Sequence, residues 1–155
     1  VGWTVQDAMY FGGEDLVRRG GPDAGRRIPP VVTGRRLGVN IGAGTDAHRV
    51  ASYNPFTALQ WFLDGKTVAG TAIRGAEETP DRLAALALYT RGSAWFSFDD
   101  DVRGSLEVGK LADLAVLSAD YLTVPTEQVG DLESLLTLLG GDVVYAAGEF
   151  AVLEN

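Results

Sequence analysis

The sequence predicts an α/β fold, with a parallel strand in its first half and a β-rich end. Three observations carry that prediction. Residues 37–48, LGVNIGAGTDAH, open as a short apolar run (Leu37, Val39, Ile41), pass through Gly42 and Gly44, and reach Asp46. A buried parallel strand has this texture, and glycines just after it allow a tight turn and a close ligand approach. Upstream, Pro29 and Pro30 suit the first turn of a helix running to about Arg36, which Gly38 ends before Val39 starts the strand. Helix, tight turn and strand make half of an α/β repeat. Downstream, two apolar runs flank Gly140-Gly141-Asp142 as a β-hairpin would.

Taken in order, residues 1–30 are Gly-rich and broken, and predict loop plus a short helix at 14–19, EDLVRR. Acidic residues lead that helix and basic residues close it, as the helix dipole favours. After Asp46 a polar loop, AHRVASYNPF, is long enough to lie over a site. Asn54 and Pro55 then cap and open a helix whose apolar face (Phe56, Leu59, Trp61, Leu63) stops at Gly65. These aromatics are core. Residues 66–78 form a second loop, and Thr79-Pro80-Asp81 restarts a helix to about Arg91, with Leu83, Leu86, Ala87 and Tyr89 as its buried stripe. The run Asp99-Asp100-Asp101 invites a metal reading, but three adjacent carboxylates are more simply a solvated turn. Residues 103–110 predict turn and short strand, and residues 113–117, DLAVL, a clear strand.

Composition narrows the function. A net charge of −8 disfavours nucleic acid and anionic membranes as partners, since both repel an acidic surface. No apolar run approaches the roughly 20 residues that span a bilayer, and the N-terminus lacks signal-peptide texture, so a cytoplasmic location is expected. The chain starts on Val1, from which we expect it to lie inside a longer gene product. It has no Cys and a single histidine, His48, so a complete zinc, nickel or iron site within these residues is not expected.

Chemistry concentrates at Asp46. An acidic side chain just past the C-terminal end of a parallel strand lies where α/β folds place their sites. Its plainer role would be to cap a turn through its own backbone. His48 and Arg49, next in the loop, are candidate substrate contacts, and a solvated loop is the plainer account of both.

The runs GVNIGAGTDAH, ASYNPF, LYTRGSAW, RGSLEVGKLADLAVLS and VVYAAGEF occur in that order between about residue 26 and residue 150. Together they resemble the C-terminal part of amidohydrolase-superfamily enzymes, and within these amidohydrolase family 3, the branch of YtcJ-like metal-dependent hydrolases. Gly-x-Leu-x-x-Gly-Lys-x-Ala-Asp-Leu at 104–114 is the most specific match. The resemblance implies a (β/α)8 TIM barrel with a β-sandwich built from both chain ends. Residues 1–101 would be the last helix–strand–helix part of the barrel, with residues 39–43 as its eighth strand. Residues 102–155 would be the C-terminal strands of the composite sandwich.

It further implies a hydrolase of C–N bonds, of amide or cyclic-amide type, acting through metal-activated water. The cofactor would be a divalent metal, zinc as one or two ions, with most ligands outside this chain. Asp46 alone matches the family's site, as the eighth-strand aspartate that serves as general base and metal-site residue. The implied partners are a small-molecule substrate, the N-terminal part of the same protein and a second copy of the chain. The 155-residue chain alone is expected to be inactive, because a barrel of this type needs roughly 250 residues. Two rival readings stand beside this one. The chain could be a non-catalytic β-rich interaction or oligomerisation module. It could also bind a dinucleotide through Gly42-Ala43-Gly44, since residues 42–47 satisfy G-x-G-x-x-A. Against the latter, Asn54-Pro55 interrupts the helix that motif must open.

Overall fold

A computed structural model describes residues 1–47 and 51–153. The chain is α/β, with a two-stranded parallel sheet early and a three-stranded antiparallel sheet late. Strand β1 (Gly2–Val5) is followed by helix α1 (Met9–Gly20) and the short helix α2 (Val31–Arg36), and then by β2 (Asn40–Ala43). β1 and β2 pair in parallel with Trp3 opposite Ile41 and Val5 opposite Ala43. This is a βαβ unit, the crossover that parallel strands require.

The strand β1 corrects the loop expected at the N-terminus. GWTV is too short to show a period, and only its pairing with β2, far along the chain, makes it a strand. Helix α1 also runs well beyond the predicted 14–19. Gly12 and Gly13 obscured it, yet Gly13 is buried beneath Thr67 and Ile73, where tertiary packing outweighs poor propensity.

Helix α3 (Pro55–Asp64) forms as predicted: the Asn54 side chain accepts the Phe56 N–H at 2.9 Å, and Gly65 closes the helix. The next helix, α4 (Arg82–Ala87), starts later than Thr79 suggested, because Asp81 provides the cap, accepting the Ala84 N–H at 2.7 Å. It passes into a π turn (Leu88–Gly92) and a last α turn, α5 (Ser93–Phe96). The acidic run 99–101 is a turn, with the Val102 and Arg103 N–H groups both donating to the Asp99 carbonyl. No strand forms at 103–110. That stretch is held instead by the Lys110 ammonium, which donates to Ser105 Oγ at 2.9 Å and to the Asp100 carbonyl at 2.6 Å.

The C-terminal sheet orders β3 (Leu114–Leu117), β4 (Ser134–Leu139) and β5 (Asp142–Ala146) consecutively and antiparallel. The predicted hairpin is β4–β5. Gly140 and Gly141 both have positive φ, 61° and 97°, which a two-residue turn matched to strand twist demands. Residues Gly148–Leu153 form a 3₁₀ helix.

One hydrophobic core joins the two halves. Val5, Val31, Ile41, Leu59, Trp61, Phe62 and Leu88 pack with Tyr121, Val129 and Leu132 of the C-terminal part. The 3₁₀ turn Thr126–Asp131 lies on α3, where the Gly130 N–H donates to Gln60 Oε1 at 2.8 Å. Among the described residues no helix is long and apolar enough to cross a membrane.

Candidate functional site

β1 and β2 end side by side, and their C-terminal rim holds the candidate site. The Gly44 N–H donates to the Val5 carbonyl at 3.2 Å, which carries the parallel ladder one residue past β2. Thr45 Oγ1 then accepts the Ala47 N–H at 3.0 Å. The turn itself is made by Asp46 and Ala47, both left-handed at φ 53° and 49°. Aspartate tolerates that conformation, whereas for Ala47 it costs roughly 1–2 kcal/mol. The expected glycine turn therefore falls two residues later than Gly44. A side chain at Gly44 would meet nothing within 4 Å, so this rim is open. Asp46 is exposed on it.

A cleft of about 180 Å³ opens at the same end, lined by Thr4, Gln6, Ala43, Gly44, Ser93 and Phe96. A larger cavity, about 500 Å³, lies at the opposite end of β2 around Asn40. Its cations are mostly committed: Arg91 pairs with Glu107 at 3.6 Å, Arg103 with Asp99 at 3.6 Å, and Lys110 holds the adjoining turn. Position and chemistry both favour the smaller cleft.

Asp7 is the rim residue that the sequence reading missed. It sits two residues past β1, fully buried, with neither carboxylate oxygen hydrogen-bonded among the described residues. Burial pushes its pKa from 3.8 up to about 6, against a smaller lowering by its own backbone N–H. The Tyr89 hydroxyl is buried and unpartnered as well. Burial raises its pKa first, and the negative charge of Asp7 raises it further. Once β1 is known, Val5-Gln6-Asp7 places an acid after a strand, as Gly44-Thr45-Asp46 does. It was missed because the strand was.

His48 and Arg49 lie outside the described residues. Among the described residues no group of three or more His, Cys, Asp or Glu side chains could hold a metal ion. The side chains described thus do not constitute a metal site, and Asp46 would supply one ligand at most.

Gly42 is buried, and a Cβ there would lie 2.9 Å from the Phe96 ring and 3.0 Å from the Gly92 backbone. Its missing side chain admits a neighbouring helix instead of a pyrophosphate. That argues against the dinucleotide reading of Gly42-Ala43-Gly44.

The sequence profile described as "Amidohydrolase family" matches residues 1–145. The chain belongs to the amidohydrolase family. It is 30% identical over 120 residues to the N-substituted formamide deformylase of Arthrobacter pascens, covering 77% of this chain and 22% of that protein. A Bacillus subtilis (strain 168) protein named "Putative amidohydrolase YtcJ" is 38% identical over 61 residues, 39% of this chain and 12% of its own length. Among solved structures, one titled "putative prolidase from Bifidobacterium longum" superposes with a TM-score of 0.55 at 25% identity, over 96% of this chain and 36% of that one. The chain therefore spans about a fifth of the deformylase and about a third of the solved protein.

Proposed function

We propose that this amidohydrolase-family chain is the C-terminal part of a metal-dependent hydrolase that cleaves the C–N bond of an amide-type small molecule. In this reading residues 1–101 belong to a (β/α)8 barrel and residues 102–155 to a composite β-sandwich. The observation that carries it is Asp46, an exposed carboxylate at the C-terminal rim of a parallel pair, in a chain whose family match spans residues 1–145.

Asp46 would act as general base. Its carboxylate takes a proton from the water whose oxygen attacks the carbonyl carbon, and returns it to the leaving nitrogen as the C–N bond breaks. An N-substituted formamide would give formate and an amine by this route, and the name of the deformylase relative makes such amides the first probes. The divalent metal, expected to be zinc, would draw its other ligands from outside the chain. His48 and Arg49, in the loop beyond Asp46, are offered as substrate contacts.

The test uses the natural full-length gene product with a panel of N-substituted formamides and simple amides, measuring amine release. Asp46→Asn is expected to lower kcat by about 10²–10⁴-fold, the usual worth of a positioned general base. Unchanged kcat overturns the assignment. The chain alone is expected neither to retain stoichiometric metal nor to turn over an amide.

A second reading, a β-rich interaction module, is favoured by the exposed Leu139, Val144 and Tyr145 on β4 and β5. Concentration-dependent self-association with no hydrolysis by the full-length protein would select it.

A further inference from the structure

Taking Asp46 as the general base, as proposed above, we infer that the small cleft beside it is the subsite for the group on the leaving nitrogen. Its size selects amides whose nitrogen carries an uncharged alkyl group of about four to six carbons. The alternation of β1 and β2 makes the cleft. Thr4 stands opposite Gly42 in the parallel register, and the bond from the Gly44 N–H to the Val5 carbonyl continues that pairing. Thr4, Gln6, Gly42 and Gly44 therefore share one face. Two of these four have no side chain, and Thr4 and Gln6 wall the trough that results.

Phe96 closes one end of that trough. A Cβ on Gly42 would lie 2.9 Å from the Phe96 ring, whereas one on Gly44 would meet nothing within 4 Å. The cleft is thus blocked at Gly42 and open at Gly44. Asp46 follows Gly44 by two residues, a span of at most about 7 Å, so the open end lies beside the turn that carries the carboxylate. The Phe96 wall is fixed in place. Ser93 Oγ donates to the Ala43 carbonyl at 2.8 Å, and the Trp95 ring meets Phe96 edge-on with centroids 5.0 Å apart. Among the described residues no charged side chain lines the cleft, which disfavours a carboxylate or an ammonium as its guest. An apolar cavity of about 150 Å³ holds a guest of about six carbons, so the cleft's volume of about 180 Å³ sets the size of the group it takes. Asp46 hands its proton to the leaving nitrogen, so substituents on that atom start beside the open end.

The experiment uses the natural full-length gene product with N-methyl-, N-butyl- and N-octylformamide. Initial rates are measured on the native protein, and calorimetric binding on the Asp46→Asn variant. Both KM and Kd are expected to fall about tenfold from methyl to butyl, as the added methylenes leave water. No further fall is expected at octyl, whose tail runs past the cleft. Lengthening the acyl side instead, from N-methylformamide to N-methylpentanamide, is expected to bring no such gain. Gly44 lies outside the left-handed region, so Gly44→Val adds its Cβ to open space without backbone strain. That variant is expected to abolish the preference for butyl over methyl, with Gly44→Ala intermediate. A flat series from methyl to butyl overturns the inference, as does a gain that continues to octyl or appears on the acyl side. So does a butyl preference that survives Gly44→Val. Binding separates this inference from the hydrolase reading. If no amide is turned over, yet N-butylformamide binds more tightly than N-methylformamide and loses that margin in Gly44→Val, the reading falls and the subsite stands. If turnover depends on Asp46 but the series is flat, the subsite falls and the reading stands.

Discussion

Glu78 is 1% exposed and accepts the Thr33 N–H at 3.0 Å, the Thr33 hydroxyl, and the Arg27 guanidinium at 3.5 Å. Burial would raise its pKa, but these donors outweigh burial and hold it below the usual 4.5. Its stabilising contribution is therefore complete above pH 4.5 and is lost as pH falls through the lowered folded value. Asp7 has the opposite sign. Its folded pKa of about 6 lies above the ordinary 3.8, so the folded state is favoured below 3.8 and loses that advantage as pH rises through 6. At 1.36 kcal/mol per unit, the loss amounts to about 3 kcal/mol at neutral pH. From these two groups, urea unfolding followed across pH is expected to show greatest stability near pH 4 to 4.5, a fall from there to about pH 6, and a level profile above it. Asp7→Asn should raise stability at pH 7 to 8 and flatten the fall between about pH 4 and 6. Glu78→Gln should lower it at neutral pH by about 1–3 kcal/mol, as a charge-assisted acceptor is lost. A native profile that keeps rising from pH 5 to pH 8 contradicts the Asp7 assignment.

At the level of elements, helix α3 shows what a sequence can specify by itself. Asn54, Pro55 and Gly65 mark its ends chemically, and each does locally what its residue type favours. Asn54→Ala is accordingly expected to cost about 1 kcal/mol in a denaturant titration, with Asn54→Asp retaining most of the stability. Equal losses for the two variants would mean that the Asn54 amide matters instead through its N–H donated to the Gly130 carbonyl, 3.4 Å away. The hairpin was legible for the same reason, since Gly140-Gly141 demands a turn whatever surrounds it. β1 and the π turn carry no such local mark. GWTV is a strand because β2 lies beside it, and the helix from Arg82 changes pitch at Leu88 where it meets β2. Hence Asp46 could be read from the strand that precedes it, whereas Asp7, behind an unreadable strand, could not.

The α helices lie before residue 101 and the antiparallel sheet after it, but the packing ties them together. The Arg82 guanidinium of α4 donates to the Tyr121 and Val124 carbonyls and to Thr126 Oγ1 at 3.2 Å, and its charge lies 5.7 Å from the Tyr121 ring. Tyr121 answers by donating its hydroxyl to the Arg82 carbonyl at 3.0 Å. Tyr121, Val129 and Leu132 sit in the same core as Trp61 and Leu88, so removing Arg82 strands two carbonyls at the edge of that shared core. None of this could be read from spacing, because Arg82 looks like any first-turn helix arginine until the chain some 40 residues on folds against it. Arg82→Ala is expected to cost about 2–3 kcal/mol. More tellingly, amide hydrogen exchange should show β3–β5 and α3 losing protection together, as parts of one cooperative unit. If the sheet amides exchange faster while α3 keeps its native protection, the two parts unfold separately and the seam is an interface between domains, with each holding its own stability.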